Sequence, residues 1–250
     1  MDKEEHIAKL PNSPLQEVVF ELHLEEDINA KGIRTNENFD FALGLFAEKI
    51  KNDFPKRISF PKHDKIRIFP NISFQFWKDE GVWPVIQLGD GLLTVNDTEK
   101  NYIWSEYSYL VRDCMTKLSN SFSEPVKIRQ VSLRYIDAIE MNEMTFEQKQ
   151  KFINENFKVS LDNNFKVLNG ESSGMNITSN FKINDGSTVN FVISNGKSKQ
   201  NKPAIVWQYQ IFNNIVTSFD DVNKWLDAGH DILSDLFKNS ITSKFYDSFK

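Results

Sequence analysis

The chain has one cysteine, four histidines and no long apolar run in its 250 residues. A lone thiol, Cys114, cannot close an internal disulfide, so the fold has to be held by its core, and the expected compartment is the reducing cytoplasm. Nothing at Met1 resembles a basic segment followed by an apolar export leader. Charged residues interrupt every apolar stretch well before the roughly 20 residues a spanning helix needs, which argues against a membrane-spanning role. A basic excess is missing too. The formal net charge is -5, whereas proteins that bind by neutralising phosphates usually carry the opposite sign.

The common catalytic signatures are also missing. No G-x-S-x-G elbow, phosphate-binding G-x-x-x-x-G-K-[ST] loop or dinucleotide glycine fingerprint occurs, and Gly89 and Gly91 lead into a strand instead of opening a helix. Cysteine and histidine are too sparse for a zinc cluster, and Asp90, Asp97 and Glu99 lack the spacing of a calcium loop, so neither a metal nor a cofactor is expected. Cys114 falls on the apolar side of a predicted helix, where a thiol is ordinarily inert. His6 and His63 lie in polar stretches that water would solvate, and His23 alternates with the apolar positions of its strand. His230 is the one histidine with a second role open to it. Asp231 is adjacent and Asp227 is one turn away, so a carboxylate could orient the ring, although a structural, hydrogen-bonded histidine is the ordinary reading. Asp137 and Glu140 could do acid–base work as a pair, but two acids at a strand end are ordinarily solvated.

Aromatic residues, in contrast, are plentiful: 21 Phe, 5 Trp and 6 Tyr supply enough area for a core without a metal or disulfide staple. Residues 14–24 alternate Val18, Phe20, Leu22 and Leu24 with Val19, Glu21 and His23, the period of a strand. Phe39, Leu43, Phe46, Ile50 and Phe54 recur at helical spacing up to Pro55, and Tyr107, Leu110, Val111, Cys114, Met115 and Leu118 form a second helical stripe. Between them, two β-rich runs from Lys65 and Trp83 read as a hairpin about the turn at 79–81. Pro70 places the first at an edge or a bend, and Gly89 and Gly91 mark another bend. A β-rich run at 126–141 follows. Thr145 with Gln148 fits a capping box, and Ser218 with Asp221 fits a second that opens a C-terminal amphipathic helix through Val222, Leu226, Gly229, Leu233 and Leu236. Strands are expected near 175–183, 188–194 and 204–212, with turns at Asp185-Gly186 and Asn195-Gly196.

This order predicts an α+β fold, a mostly antiparallel sheet with helices on one face. The expected divisions are an N-terminal βαββαβ subdomain (1–141), a connecting helix and loop (142–164) and a C-terminal β-rich subdomain with its terminal helix (165–250). No Gly/Ser/Pro-rich linker separates the halves, so they should share a core.

Two surfaces are candidates for recognition. The segment 87–110 concentrates turn glycines and aromatics, making Trp104, Tyr107 and Tyr109, with Asp90 and Asn96, candidates for a protein interface. The alternative is that Trp104 and Tyr107 seal the start of the second helix. Arg67, Arg129 and Arg134 on strands, with Lys197, Lys199 and Lys202 at a hairpin tip, could form a nucleic-acid-binding face, although the ordinary reading of such charge is a solvated surface.

Taken together, PLQEVVFELHL, QLGDGLLTVN followed by YIWSEY, SLRYIDAIEM and the C-terminal AGHDILSDLFKNSIT resemble a sporadically distributed family of uncharacterised prokaryotic proteins of about this length. That resemblance implies an accessory or mobile-element role, including defence against phage. Three function classes stay open: a non-enzymatic binding or regulatory protein with a protein partner, a nucleic-acid-associated protein, and an enzyme built around His230 and Asp231. Self-association is open as well.

Overall fold

A computed structural model of the protein describes residues 10–25, 27–28, 34–35, 37–60, 72–89, 91–98, 102–141, 145–161, 174–216 and 218–250. Pro70, Arg67, His6, His63 and Asp90 lie outside the described residues.

Nine strands form one sheet, and β1 (Leu15–Leu24) is its middle strand. On one side of β1 follow β7 (Leu92–Thr98), β6 (Val85–Gly89), β5 (Ile72–Trp77) and β4 (Lys56–Ser59). On the other side are β8 (Ile128–Glu140), β11 (Pro203–Asn213), β10 (Thr188–Lys197) and β9 (Asn176–Lys182). Every ladder in the sheet is antiparallel. The short pair β2 (Asp27–Ile28) and β3 (Arg34–Thr35) stands apart. The two β-rich stretches of the sequence therefore meet edge to edge through β8 and β11, and their residues belong to one hydrophobic cluster. The result is α+β, as the order of periodic segments implies.

The helices are α1 (Glu37–Ile50), α2 (Trp104–Ser119), α3 (Phe146–Asn156), α4 (Phe219–Ser240) and the short α5 (Ser243–Asp247). Their stripes explain their placement. Phe39, Phe46 and Ile50 of α1, with Tyr107, Val111, Cys114, Met115 and Leu118 of α2, are buried in the same cluster as Val18, Phe20, Leu22 and Leu24 of β1. Burying each such large side chain contributes roughly 1.5–3 kcal/mol. Thr145 and Gln148 complete the predicted capping box on α3, whereas at α4 only half of the predicted box forms: the Ser218 hydroxyl accepts from the Asp221 backbone N–H and donates to the Asp221 carboxylate, which does not reach back to the cap backbone. At Gly229 α4 packs on β11, where a Cβ would sit in ordinary contact, 3.4 Å from the Ile211 methyl. None of the described helices is long and apolar enough to cross a membrane.

Two local expectations need correction. The run from Trp83 is not one bent strand but the pair β6 and β7, joined by a reversal at Gly91, whose φ of 65° glycine adopts without the Cβ penalty. Asn195-Gly196 is not a turn. Both residues lie inside β10, opposite Ile205 and Ala204, and the chain reverses further on, with Asn201 at φ 63°. Gly196 is needed there for close approach, because a Cβ would come within 2.6 Å of the Val206 methyl. The strand β4 was also unforeseen: its pattern Lys-Arg-Ile-Ser is exposed throughout, as suits a charged edge.

Gly196→Ala should therefore destabilise the protein by about 1–3 kcal/mol through overpacking against Val206. Urea unfolding measures this, and an unchanged midpoint would contradict the strand assignment.

Candidate functional site

Helix α4 crosses the face of the sheet carrying Ile211, and a cavity of about 430 Å³ opens between α4, the first turn of α2, strands β8 and β11, and the segment leading into β1. Side-chain alternation along β8 aims Tyr135 and Asp137 to the same side as the buried Val131 and Leu133. Register then sets their neighbours. Tyr209 of β11 lies opposite Tyr135, and Trp207 lies opposite Asp137. On the other flank, Leu15 of β1 is the partner of Asp137, beside a bulge that accommodates Gln16 as an extra residue.

The upper wall comes from two helices. The His230 ring of α4 stacks on the Trp104 ring of α2, with centroids 3.9 Å apart and planes 7° from parallel. An ion pair of 2.7 Å between Arg112 and Asp227 also ties α2 to α4. Asp227 is thus engaged with Arg112, and the group on the His230 ring is a phenol: the Tyr135 hydroxyl is 2.7 Å from Nδ1 and 2.6 Å from the Tyr102 hydroxyl. Burial holds both phenols well above their ordinary range, so each keeps its proton. Burial likewise lowers His230 to about 4, against the opposing attraction of Asp227, which leaves a neutral imidazole near pH 7. Either proton order satisfies this chain. In each, Tyr135 donates to one neighbour and accepts from the other.

Asp137 is the unusual member. Only 4% of it is exposed, and its Oδ2 has no hydrogen-bond partner among the described residues. Desolvation pushes its carboxyl up to about 8. A buried polar atom without a partner costs about 1–3 kcal/mol, more if charged, so its retention here calls for an explanation outside packing.

The other candidates are dispersed. Tyr107 is 2% exposed and donates its hydroxyl to the Val95 carbonyl at 2.8 Å, so it is a core residue and cannot anchor a protein partner. Trp104 is half-buried and belongs to the cavity, while Tyr109 is 73% exposed. Asn96 accepts from Thr94 and donates to Glu17, away from the cavity. Arg129 and Arg134 belong to β8 too, but Arg134 alternates onto the opposite face of the sheet from Tyr135. There Arg134 lies 3.4 Å from Glu21, and Arg129 lies 3.4 Å from the ring of His23. A hydrogen bond with His23 outweighs burial and, with Arg134, keeps Glu21 below the usual carboxylate range. Lys202 pairs with Glu140 at 2.8 Å, Lys199 reaches the Gln16 carbonyl, and Lys197 is exposed at the end of β10. Asp231 sits beside His230 at the exposed rim of the cavity.

The expectation that Asp137 and Glu140 are both solvated holds for Glu140 alone. Three residues apart on one strand, they point to opposite faces, and only Asp137 is buried. The sequence does carry a signal for this: Asp137 is in phase with Val131, Leu133, Tyr135 and Ile139, an acid in the apolar period of its strand. Tyr209 and Phe237, which complete the lining, have no such signal. No protein-family model matches the chain, and no curated protein is detectably similar to it.

The two shifted groups set a pH dependence of stability. Asp137 is raised in the folded state, so its contribution is present at low pH and is lost as pH rises to about 8. His230 is lowered, so its contribution is present above its ordinary 6.5 and is lost as pH falls toward 4. The slopes oppose below 6.5, and from there to 8 only that of Asp137 remains, at about 1.4 kcal/mol per pH unit. Unfolding free energy should therefore fall by about 2 kcal/mol over this window, and Asp137→Asn should flatten the fall. Urea titrations at the two ends of the window test this, and an equal slope in the variant would refute it.

Proposed function

We propose that this chain is a binding protein whose cavity between α2, α4 and the sheet receives a small ligand, and that it works as a regulatory component of an accessory multi-protein system. The observation that carries this reading is Asp137: a buried carboxyl with a partnerless oxygen, lining a cavity of about 430 Å³ together with Trp104, Tyr135, Tyr209 and Phe237. Ligand sites are commonly built this way, mostly apolar with a few convergent polar groups. The volume lies in the range such sites occupy, about 300–1,000 Å³. The resemblance to a sporadically distributed prokaryotic family supports the accessory role, and defence against phage is the setting it implies. Tyr109, exposed on α2 outside the cavity, is one of several surface aromatics available to a protein partner, Phe41 and Phe181 among them.

A second reading, catalysis within the same cavity, draws support from the presence there of both His230 and Asp137, whose environments shift them in opposite directions. Nucleic-acid binding has less support, because Arg134 and Lys202 are already opposed by Glu21 and Glu140.

The test is a small-fragment library screened by ligand-observed NMR against the full chain and two cavity-blocking variants, Ser234→Phe on α4 and Ser105→Trp on the exposed first turn of α2. A set of fragments should bind the wild type and be lost from either folded variant. Equal binding by wild type and variants, or no binding by the wild type, would overturn the receptor reading. Turnover of a bound fragment that disappears in His230→Ala, with stability retained, would favour catalysis instead.

A further inference from the structure

Resting on the receptor reading, we propose that the cavity selects an organic cation: a primary ammonium group carried on an apolar body, with the ammonium donating to the Asp137 carboxylate. Three independent features of the lining agree. The first is Asp137 itself, a buried carboxyl that lines the cavity and whose Oδ2 has no hydrogen-bond partner among the described residues. The second is charge. Among the described lining residues the acids are Asp137 and Asp231 and there is no lysine or arginine, so a carboxylate or phosphate ligand would find no cation to hold it and, once Asp137 ionises, would meet like charge. The third is the wall. Trp104, Tyr135, Tyr209 and Phe237 surround the space, and the faces of aromatic rings carry the negative side of their quadrupole, which attracts ammonium groups. Leu10, Leu15 and Leu233 extend the apolar part of the lining and suit a hydrocarbon or aromatic body.

Binding of the ammonium requires the carboxylate form of Asp137, which gives the site a pH signature. The titratable groups that line the cavity with Asp137 are Tyr135 on β8, Tyr209 on β11, Tyr102 before α2, and His230 and Asp231 on α4. The phenols keep their protons and His230 is neutral above about 4, so loss of the proton from Asp137 sets the dependence up to about pH 8. Below that pH the incoming ammonium must expel this proton, so affinity climbs by up to about tenfold per pH unit toward 8 and levels off above it.

Three probes of one size but different charge separate the outcomes: 4-phenylbutylamine, 4-phenylbutan-1-ol and 4-phenylbutanoate, titrated calorimetrically into the full chain and into Asp137→Asn. The amine remains protonated throughout, as a lysine side chain would. It should bind about tenfold to a hundredfold tighter than the alcohol, the range a charged hydrogen bond supplies. Butanoate binding should be weakest. Asp137→Asn, isosteric and checked for folding by its melting curve, should abolish both the amine preference and the rise of affinity with pH. Equal binding of amine and alcohol, both lost in Ser234→Phe, would overturn the cation proposal while leaving the receptor reading intact. Preference for butanoate, no detectable binding of the amine, or an amine preference that survives in Asp137→Asn would overturn it as well. Failure of the fragment screen, by contrast, would remove both readings.

Discussion

The ladder between β8 and β11 is the contact on which the rest of the molecule depends. Ten residue pairs, from Ala204 opposite Glu140 to Asn213 opposite Val131, join the two β-rich stretches of the chain into one sheet. Without it, each stretch would expose a row of unpaired backbone donors and acceptors, an edge that proteins otherwise have to protect. The same ladder sets Tyr209 beside Tyr135 and Trp207 beside Asp137, which makes the floor of the cavity a product of strand register. Helix α4 follows β11 directly in the chain and folds back over that floor, bringing His230 onto Trp104.

The electrostatics of the cavity follow from this layering. Removing water raises the carboxyl of Asp137 and lowers the imidazole of His230, in both cases because burial disfavours the charged form. Near neutral pH an empty cavity is thus close to uncharged at its centre, which limits the energetic cost of keeping an acid in a core. A cationic ligand reverses that economy by supplying both the donor and the opposite charge, although a buried ion pair is favourable only when its geometry and hydrogen bonds are good. The other face of the sheet handles charge differently. There Glu21, His23, Arg129 and Arg134 lie together, and opposite signs compensate one another without a ligand.

Much of the architecture was legible in the sequence because it rests on short-range periodicity. The alternation of β1, the stripes of α1, α2 and α4, and the caps at Thr145 and Ser218 each involve residues within a few positions of one another. Misreadings arose where a local signal had a tertiary cause. Asn195-Gly196 has the composition of a turn, but Gly196 is there to admit the Val206 side chain from the neighbouring strand. Of the two readings open for Tyr107, interface anchor or seal at the start of α2, the geometry agrees with the seal: the helix turns it inward onto the Val95 carbonyl.

The candidate site was legible only in fragments. His230 stood out by its chemistry and Trp104 by its composition, and an acid in an apolar period marks Asp137 once the phase of β8 is followed. What the sequence by itself determined is the type of each element and the face each side chain takes, since these depend on backbone geometry repeated every two or 3.6 residues. Tertiary structure alone decided that these faces enclose a cavity. The Tyr102 and Tyr135 hydroxyls meet across 33 residues of chain, and Tyr135 meets His230 across 95. The burial that shifts Asp137 is a property of β1, β11 and α4 around it, and no spacing within β8 encodes it.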